Sequence, residues 1–319
     1  MHKTIALMSA AVLATIGTGV QAQTYPAKPV RLVVAFATGG ATDTFSRITA
    51  AELTKSLGQQ VIVENRPGAG TTIAAELVAK SAADGYTLLF TDMSTHAITP
   101  SLYSKLSYNP QRDLMAVAPV STSPLIMVAH PSLGVKSAKE LIALAKKNPG
   151  ITCGNSGVGT VTHMAAEKFR MRAGINLEMV NYKGGTTSTV SLLTGELSLI
   201  VNTIPAAIEY VRSKRLIAIG ITADKRVAAF PDIPALGETV QGVDAAVIAG
   251  IFAPANTPRN LIERLNAEIA KAVEAPKSRE IFAANAAEAM KLSPEAMQQM
   301  LEQDMKTWAD VVKATGVKQ

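Results

Sequence analysis

Val33-Val34-Ala35-Phe36-Ala37-Thr38-Gly39-Gly40-Ala41-Thr42-Asp43 joins two different periodicities, and its reading decides the fold. The β-branched, apolar run from Val30 to Phe36 is a buried strand by composition. It stops at a glycine pair, and helical spacing follows at Phe45, Ile48, Ala51, Leu53 and Leu57. A strand that turns through glycines into a helix aims free backbone N–H groups and the positive helix end at an anion. The turn holds no Lys or Arg, so an anion seated there is held by dipoles, as in recognition rather than P-loop phosphate chemistry. The same residues also suit a silent tight turn with Thr42 or Asp43 as helix cap.

Outward from this stretch, short apolar strands alternate with helical spacing along the chain. The predicted strands are 30–36, 60–64, 86–91, 125–130, 151–153, 179–181, 197–202 and 216–222. The predicted helices are 44–57, 72–81, 138–147, 161–173, 186–194, 205–212, 258–273 and 294–314. This alternation is the signature of an α/β protein with parallel sheets. Ser137-x-x-Glu140 reads as a capping box, and Thr257-Pro258 and Ser293-Pro294 read as hydroxyl N-caps before an N1 proline. Two apolar extended stretches, 119–130 and 243–254, read as crossovers between two lobes. The expected division is a discontinuous first lobe, 23–123 plus 243–319, and a second lobe, 124–242. Two lobes on a paired hinge enclose a ligand cleft.

Composition narrows the function. Lys3, the apolar stretch from Ile5 to Val20 and the small residues around Ala22 form an expected cleavable export signal over residues 1–22, which sends the mature protein out of the cytoplasm. The chain has 319 residues, one cysteine (Cys153) and four dispersed histidines, so neither an intramolecular disulfide nor a cysteine zinc cluster is expected, and no metal or cofactor. The formal charge of +6 comes from scattered basic residues, with one Trp in the chain, which argues against a nucleic-acid surface.

Four more turns have the same character. Gly154-Asn155-Ser156-Gly157-Val158-Gly159-Thr160-Val161-Thr162-His163 feeds small and hydroxyl residues from a strand into a helix. It lacks the third glycine of a dinucleotide fingerprint and the flanking glycines of a nucleophile elbow. Backbone N–H groups and hydroxyls in such a nest suit a carboxylate. Tyr182-Lys183-Gly184-Gly185-Thr186, Asn65-Arg66-Pro67-Gly68-Ala69-Gly70-Thr71 and Thr91-Asp92-Met93-Ser94-Thr95-His96 complete the set. Asn202, at the end of a predicted strand, joins the candidates. Ser156, His163 and Asp92 contain the residue types of a catalytic triad, but no spacing places them together.

The ordered motifs carry a family resemblance. Tyr25-Pro26-x-Lys28-Pro29, Phe36-x-x-Gly39-Gly40-Ala41-Thr42-Asp43 and Val63-Glu64-Asn65-Arg66-Pro67-Gly68-Ala69-Gly70 are followed by Asp84-Gly85-Tyr86-Thr87-Leu88 and Thr95-His96-Ala97-Ile98. Gly157-x-Gly159-Thr160-x-x-His163, Tyr182-Lys183-Gly184 and Ala253-Pro254 complete the series. Over nearly the whole mature chain the sequence resembles the solute receptors of tripartite tricarboxylate transporters, the Bug family. The resemblance implies a type II-like periplasmic-binding fold, two α/β lobes closing on a small organic carboxylate and handing it to integral-membrane permease subunits. It implies a monomer and no enzymatic activity.

Carried over by residue, the first pincer is Thr38, Gly39, Gly40, Ala41, Thr42 and Asp43. The second is Ser156, Gly157, Gly159, Thr160 and His163, with Lys183, Gly184, Ser94, Thr95, His96 and Asn202 near the cleft. Many relatives have two prolines where this chain has Ala37-Thr38, and an aromatic pair where it has Ile248-Ala249, so the first pincer should be less rigid and the wall roomier. A sensor subunit for a signalling system and an exported hydrolase are the alternative functions.

Overall fold

The structure, a computed structural model, describes residues 25–318, so the expected export signal lies outside the described residues. The strands are β1 (Val30–Val34), β2 (Val61–Asn65), β3 (Thr87–Asp92), β4 (Leu114–Ala129), β5 (Thr152–Asn155), β6 (Glu178–Asn181), β7 (Leu199–Thr203), β8 (Ile217–Ile221), β9 (Ala246–Pro254) and β10 (Glu288–Ala289). The helices are α1 (Ala41–Leu57), α2 (Thr72–Ala79), α3 (Met93–Leu102), α4 (Ala138–Lys147), α5 (Val161–Ala173), α6 (Gly185–Leu193), α7 (Ile204–Arg212), α8 (Arg259–Glu274), α9 (Pro276–Ala284) and α10 (Pro294–Thr315).

Two sheets share one strand. In the first, β2, β1 and β3 run parallel, β9 and the first part of β4 extend it, and short β10 pairs with β4. In the second, β6, β5 and β7 run parallel, and the last part of β4 pairs with both β7 and β8. The all-parallel expectation is therefore corrected to mixed sheets. The returning strand β9 inserts between β3 and β4 and runs against both, and β4, continuing into the second sheet, meets β7 and β8 antiparallel. In β4, Leu114–Pro124 pairs with β9, whereas Leu125–Ala129 pairs with β7, so the strand changes sheets between Pro124 and Leu125.

Strand direction then places the site. β9 is antiparallel to both β3 and β4, so β1, β2 and β3 all run the same way as β4, towards its switch point. β7 is antiparallel to β4 in the second sheet, with Leu125 opposite Thr203 and Ala129 opposite Leu199. Thus β5, β6 and β7 run back towards the same switch point. The carboxyl ends of both parallel trios converge there, where open α/β sheets present their ligand crevice.

One apolar core underlies both sheets, including Val33, Leu89, Leu125, Met127, Cys153 and Phe169, and the face of α10 that carries Met297, Leu301 and Trp308 closes it. Further cores lie against the other face of each sheet, around Phe45, Phe90 and Phe282 in one and Ile126, Ile200 and Ile208 in the other.

Local signals locate most helix ends. Gly58 and Gly174 sit in the left-handed region at the ends of α1 and α5, where a side chain is strained. Ser137 Oγ accepts from Glu140 N at 3.2 Å, but Glu140 reaches Lys136 N rather than closing the capping box on Ser137. Ser293 caps α10. Thr257 does not cap α8: its hydroxyl donates to Pro254 O at 2.7 Å, and the helix begins one residue later, after Pro258.

Candidate functional site

The β1–α1 turn is braced by its own carboxylate. Asp43 Oδ2 accepts from Gly39 N and Arg47 Nε, each at 3.0 Å, and Oδ1 accepts from Asn65 Nδ2 at 2.9 Å. Asn65 also donates to Phe36 O, clasping the turn from β2. Burial pushes the Asp43 carboxyl up, but the bonds from Arg47, Gly39 and Asn65 prevail and hold it below the usual carboxylate range. Asp43 is thus a buried anion that fixes the turn. Gly40 is the N-cap of α1 without a side-chain cap, and the N–H groups of Ala41, Thr42 and Asp43 have no acceptor among the described residues. Those donors, with exposed Thr38 at the rim, are what the turn offers an anion.

The β5–α5 turn has spent most of its donors on itself. The Ser156 and Thr162 hydroxyls lie 2.6 Å apart, Thr160 Oγ1 is 2.9 Å from Thr162 Oγ1, and Thr160 donates to Gly157 O at 2.7 Å. Gly157 N donates to Asn155 Oδ1 at 2.9 Å and Gly159 N to His163 Nδ1 at 3.1 Å. His163 is buried, and desolvation lowers its pKa to about 4, so the ring is neutral with Nδ1 as the acceptor that shapes the loop. Val161 N donates to Thr95 Oγ1 at 3.2 Å, tying the start of α5 to α3 of the first sheet.

The β6–α6 turn supplies what α5 withholds. Gly184 caps α6 with no side-chain bond, and its own N–H donates to Ser156 O at 3.1 Å, so the two turns of the second sheet lie side by side. The N–H groups of Gly185, Thr186 and Thr187 have no acceptor among the described residues, and Lys183 beside them is exposed.

The remaining candidates are framework. The segment Met93–Leu102, read from sequence only as a turn, is the helix α3. Asp92 caps it through Ser94 N and Thr95 N, accepts Thr95 Oγ1 at 2.5 Å and holds Ile248 N of the return strand at 3.0 Å. Burial pushes the Asp92 carboxyl up to about 6 against those bonds. Ser94 Oγ donates to Ala246 O at 3.0 Å. His96 is fully buried beside Tyr108 and Phe252, with neither ring nitrogen bonded, and desolvation lowers its pKa to about 4. Asn202 is saturated: Nδ2 donates to Gly185 O at 2.8 Å and Thr189 Oγ1 at 3.0 Å, while Oδ1 accepts Thr203 N. It holds the α6 turn from beneath, and a Cβ on Gly185 would lie 2.4 Å from its Oδ1.

Among the described residues, the guanidiniums beside the first turn are engaged. Arg47 is engaged by Asp43 and Asn65, and Arg31 and Arg66 share Glu64. The triad candidates are apart in role: Ser156 bonds hydroxyls, His163 accepts from Gly159, and Asp92 caps α3. Among the described residues no group of acids, His or Cys is placed to hold a metal ion, and no helix is long and apolar enough to cross a membrane.

Two residues carry signals that the sequence reading did not single out. Asn155 is fully buried, and its Nδ2 has no partner. Thr71, buried and unpaired through Oγ1, has a φ of 78°, a strained conformation for a β-branched residue.

Two sheets joined by paired crossovers, with uncapped helix ends at the junction, define a solute-binding protein of the periplasmic type. The chain belongs to the tripartite tricarboxylate transporter family of receptors, whose sequence profile matches residues 45–317. It is 36% identical to BugT of Bordetella pertussis over 310 residues, 96% of this chain and 94% of that protein. Among solved structures it is similar to the periplasmic binding protein BugD, with a TM-score of 0.84, 31% identity, and coverage of 92% of this chain and 99% of that one. R. palustris Rpa4515, determined with adipate, matches with a TM-score of 0.86, 30% identity, and coverage of 92% of this chain and 98% of that one. The family sets the function as a transporter's solute receptor, not an enzyme, and its place as the periplasm.

Proposed function

We propose that this receptor captures a small organic carboxylate between two lobes, residues 23–123 plus 243–319 and residues 124–242, and delivers it as a monomer to integral-membrane permease subunits. The first pincer is Thr38, Gly39, Gly40, Ala41, Thr42 and Asp43, of which the unpaired N–H groups at the start of α1 touch the anion. The second is Ser156, Gly157, Gly159, Thr160 and His163 together with Lys183 and Gly184. Here the β5–α5 turn provides shape, and the open end of α6 provides donors. Ser94, Thr95, His96 and Asn202 stand behind these groups as framework.

The observation that carries this reading is the convergence of two uncapped helix ends on one junction while the guanidiniums beside the first turn are already engaged. Oriented N–H dipoles bind an anion without a cation, and closure strengthens each bond by excluding water. The adipate bound to Rpa4515 supports a carboxylate as the ligand class. An expected cleaved signal over residues 1–22 delivers the mature chain to the periplasm.

A thermal-shift screen over mono- and dicarboxylates checks the reading, because a ligand that binds only the folded state raises the melting temperature. At a hundredfold excess over Kd the stabilisation is about 2.7 kcal/mol. Carboxylates that leave the melting temperature unmoved, with their uncharged counterparts raising it, would count against the proposal.

A further inference from the structure

We infer that Asn155 is a specificity-determining donor of the binding site: its carboxamide Nδ2 gives a hydrogen bond to a carboxylate oxygen of the bound ligand. The inference rests on the carboxylate reading above and adds to it a side-chain donor with a fixed direction.

Asn155 ends β5, at the junction where the parallel trios converge, and it is fully buried. Three groups of the turn bond to it or beside it: Gly157 N reaches its Oδ1 at 2.9 Å, Tyr182 N reaches its backbone oxygen at 3.2 Å, and Gly184 N reaches the oxygen of Ser156 at 3.1 Å. The carboxamide therefore sits between the β5–α5 and β6–α6 turns. Its orientation is not open to a flip. Gly157 N–H is a donor, so the atom facing it must be the oxygen, and the NH2 group is left over. That group has no acceptor, although Asn202, the other buried Asn of these strand ends, is fully satisfied.

A buried NH2 without an acceptor is a group native proteins rarely leave unpaired. The turn's own groups are turned to one another: the Ser156, Thr160 and Thr162 hydroxyls bond among themselves, and His163 Nδ1 holds Gly159. What the site lacks is an acceptor from outside the chain. An oxygen of an anion that the neighbouring helix ends attract has the right chemistry, since a carboxylate is acceptor-only. The carboxamide also discriminates. It favours an oxygen with lone pairs and rejects an NH2 or NH3+ at the same position, where donor would meet donor.

Asn155→Asp tests this with one atom changed. The aspartate keeps the oxygen that Gly157 needs and replaces the NH2 with a second oxygen that repels a carboxylate. Calorimetric titration with adipate should show binding to the wild type and a loss of at least about a hundredfold in the variant, the order expected for losing a charge-assisted bond and adding a like charge. Equal affinity in the two proteins would overturn the inference and leave the carboxylate reading intact. Adipate, malate and benzoate all failing to bind the wild type would remove the carboxylate reading and the inference with it. A second measurement needs no variant. The Asn155 side-chain amide resonance, assigned in the wild type by through-bond correlation, should move on saturation with adipate, and an unmoved resonance contradicts the assignment.

Discussion

At the residue scale, the glycines and hydroxyls of both turns were legible, but their division of labour was not. Which N–H groups are free depends on partners far along the chain: Asn65 reaches Asp43 from β2, and Thr95 reaches Val161 from another sheet. No local pattern marks such bonds. Asp43 and His163 look like ligand contacts in sequence, and both are the struts that hold their loops. His96 has a consequence for pH. Its charged form is disfavoured in the fold, where its pKa is about 4, whereas the unfolded chain takes up the proton near its ordinary 6.5. The fold therefore loses stability from this group as pH falls from about 6.5 towards 4, by about 2 kcal/mol at pH 5. His96→Phe, which keeps a ring beside Tyr108 and Phe252, should raise the melting temperature more at pH 5 than at pH 8. An equal change at both values would contradict a buried neutral imidazole.

At the element scale, the long amphipathic helices and most strands were read within a few residues, because their periodicity is dictated by one buried face, but β4 begins eleven residues before its predicted strand and β10 was not read. Nor were two of the helices. In α3 every residue from Met93 to Thr99 is buried and Pro100 interrupts the pattern, so no polar stripe marks it as a helix. In α9 the helix restarts at Pro276, two residues after α8 ends, and the predicted helix 258–273 stops short of it. The contact between α3 and the β5–α5 turn is tight enough to test. Gly159 has a φ of 74°, and a Cβ there would lie within 2.1 Å of Leu102 Cδ1. Gly159→Ala should cost about 1–3 kcal/mol from backbone strain and crowding. Adding Leu102→Ala should recover the crowding part, so the double variant should be more stable than the sum of the singles indicates. Strict additivity in urea melts would show that the turn and α3 do not press on each other.

At the scale of the whole molecule, the two-sheet plan followed from the apolar stretches 119–130 and 243–254, which form the later part of β4 and all of β9 with its approach. The mixed pairing did not follow, since periodicity carries no strand direction. That direction is what brings the helix ends of both sheets to one place, and it makes the central proposal specific: an anion held by backbone dipoles beside guanidiniums that are already engaged. The most direct measurement is calorimetry of the wild-type receptor with the dicarboxylate that raises its melting temperature most and, separately, with the uncharged diamide of the same length. The account predicts saturable one-to-one binding of the acid and no measurable heat from the diamide. Equal binding of both, or binding of the diamide alone, would contradict it.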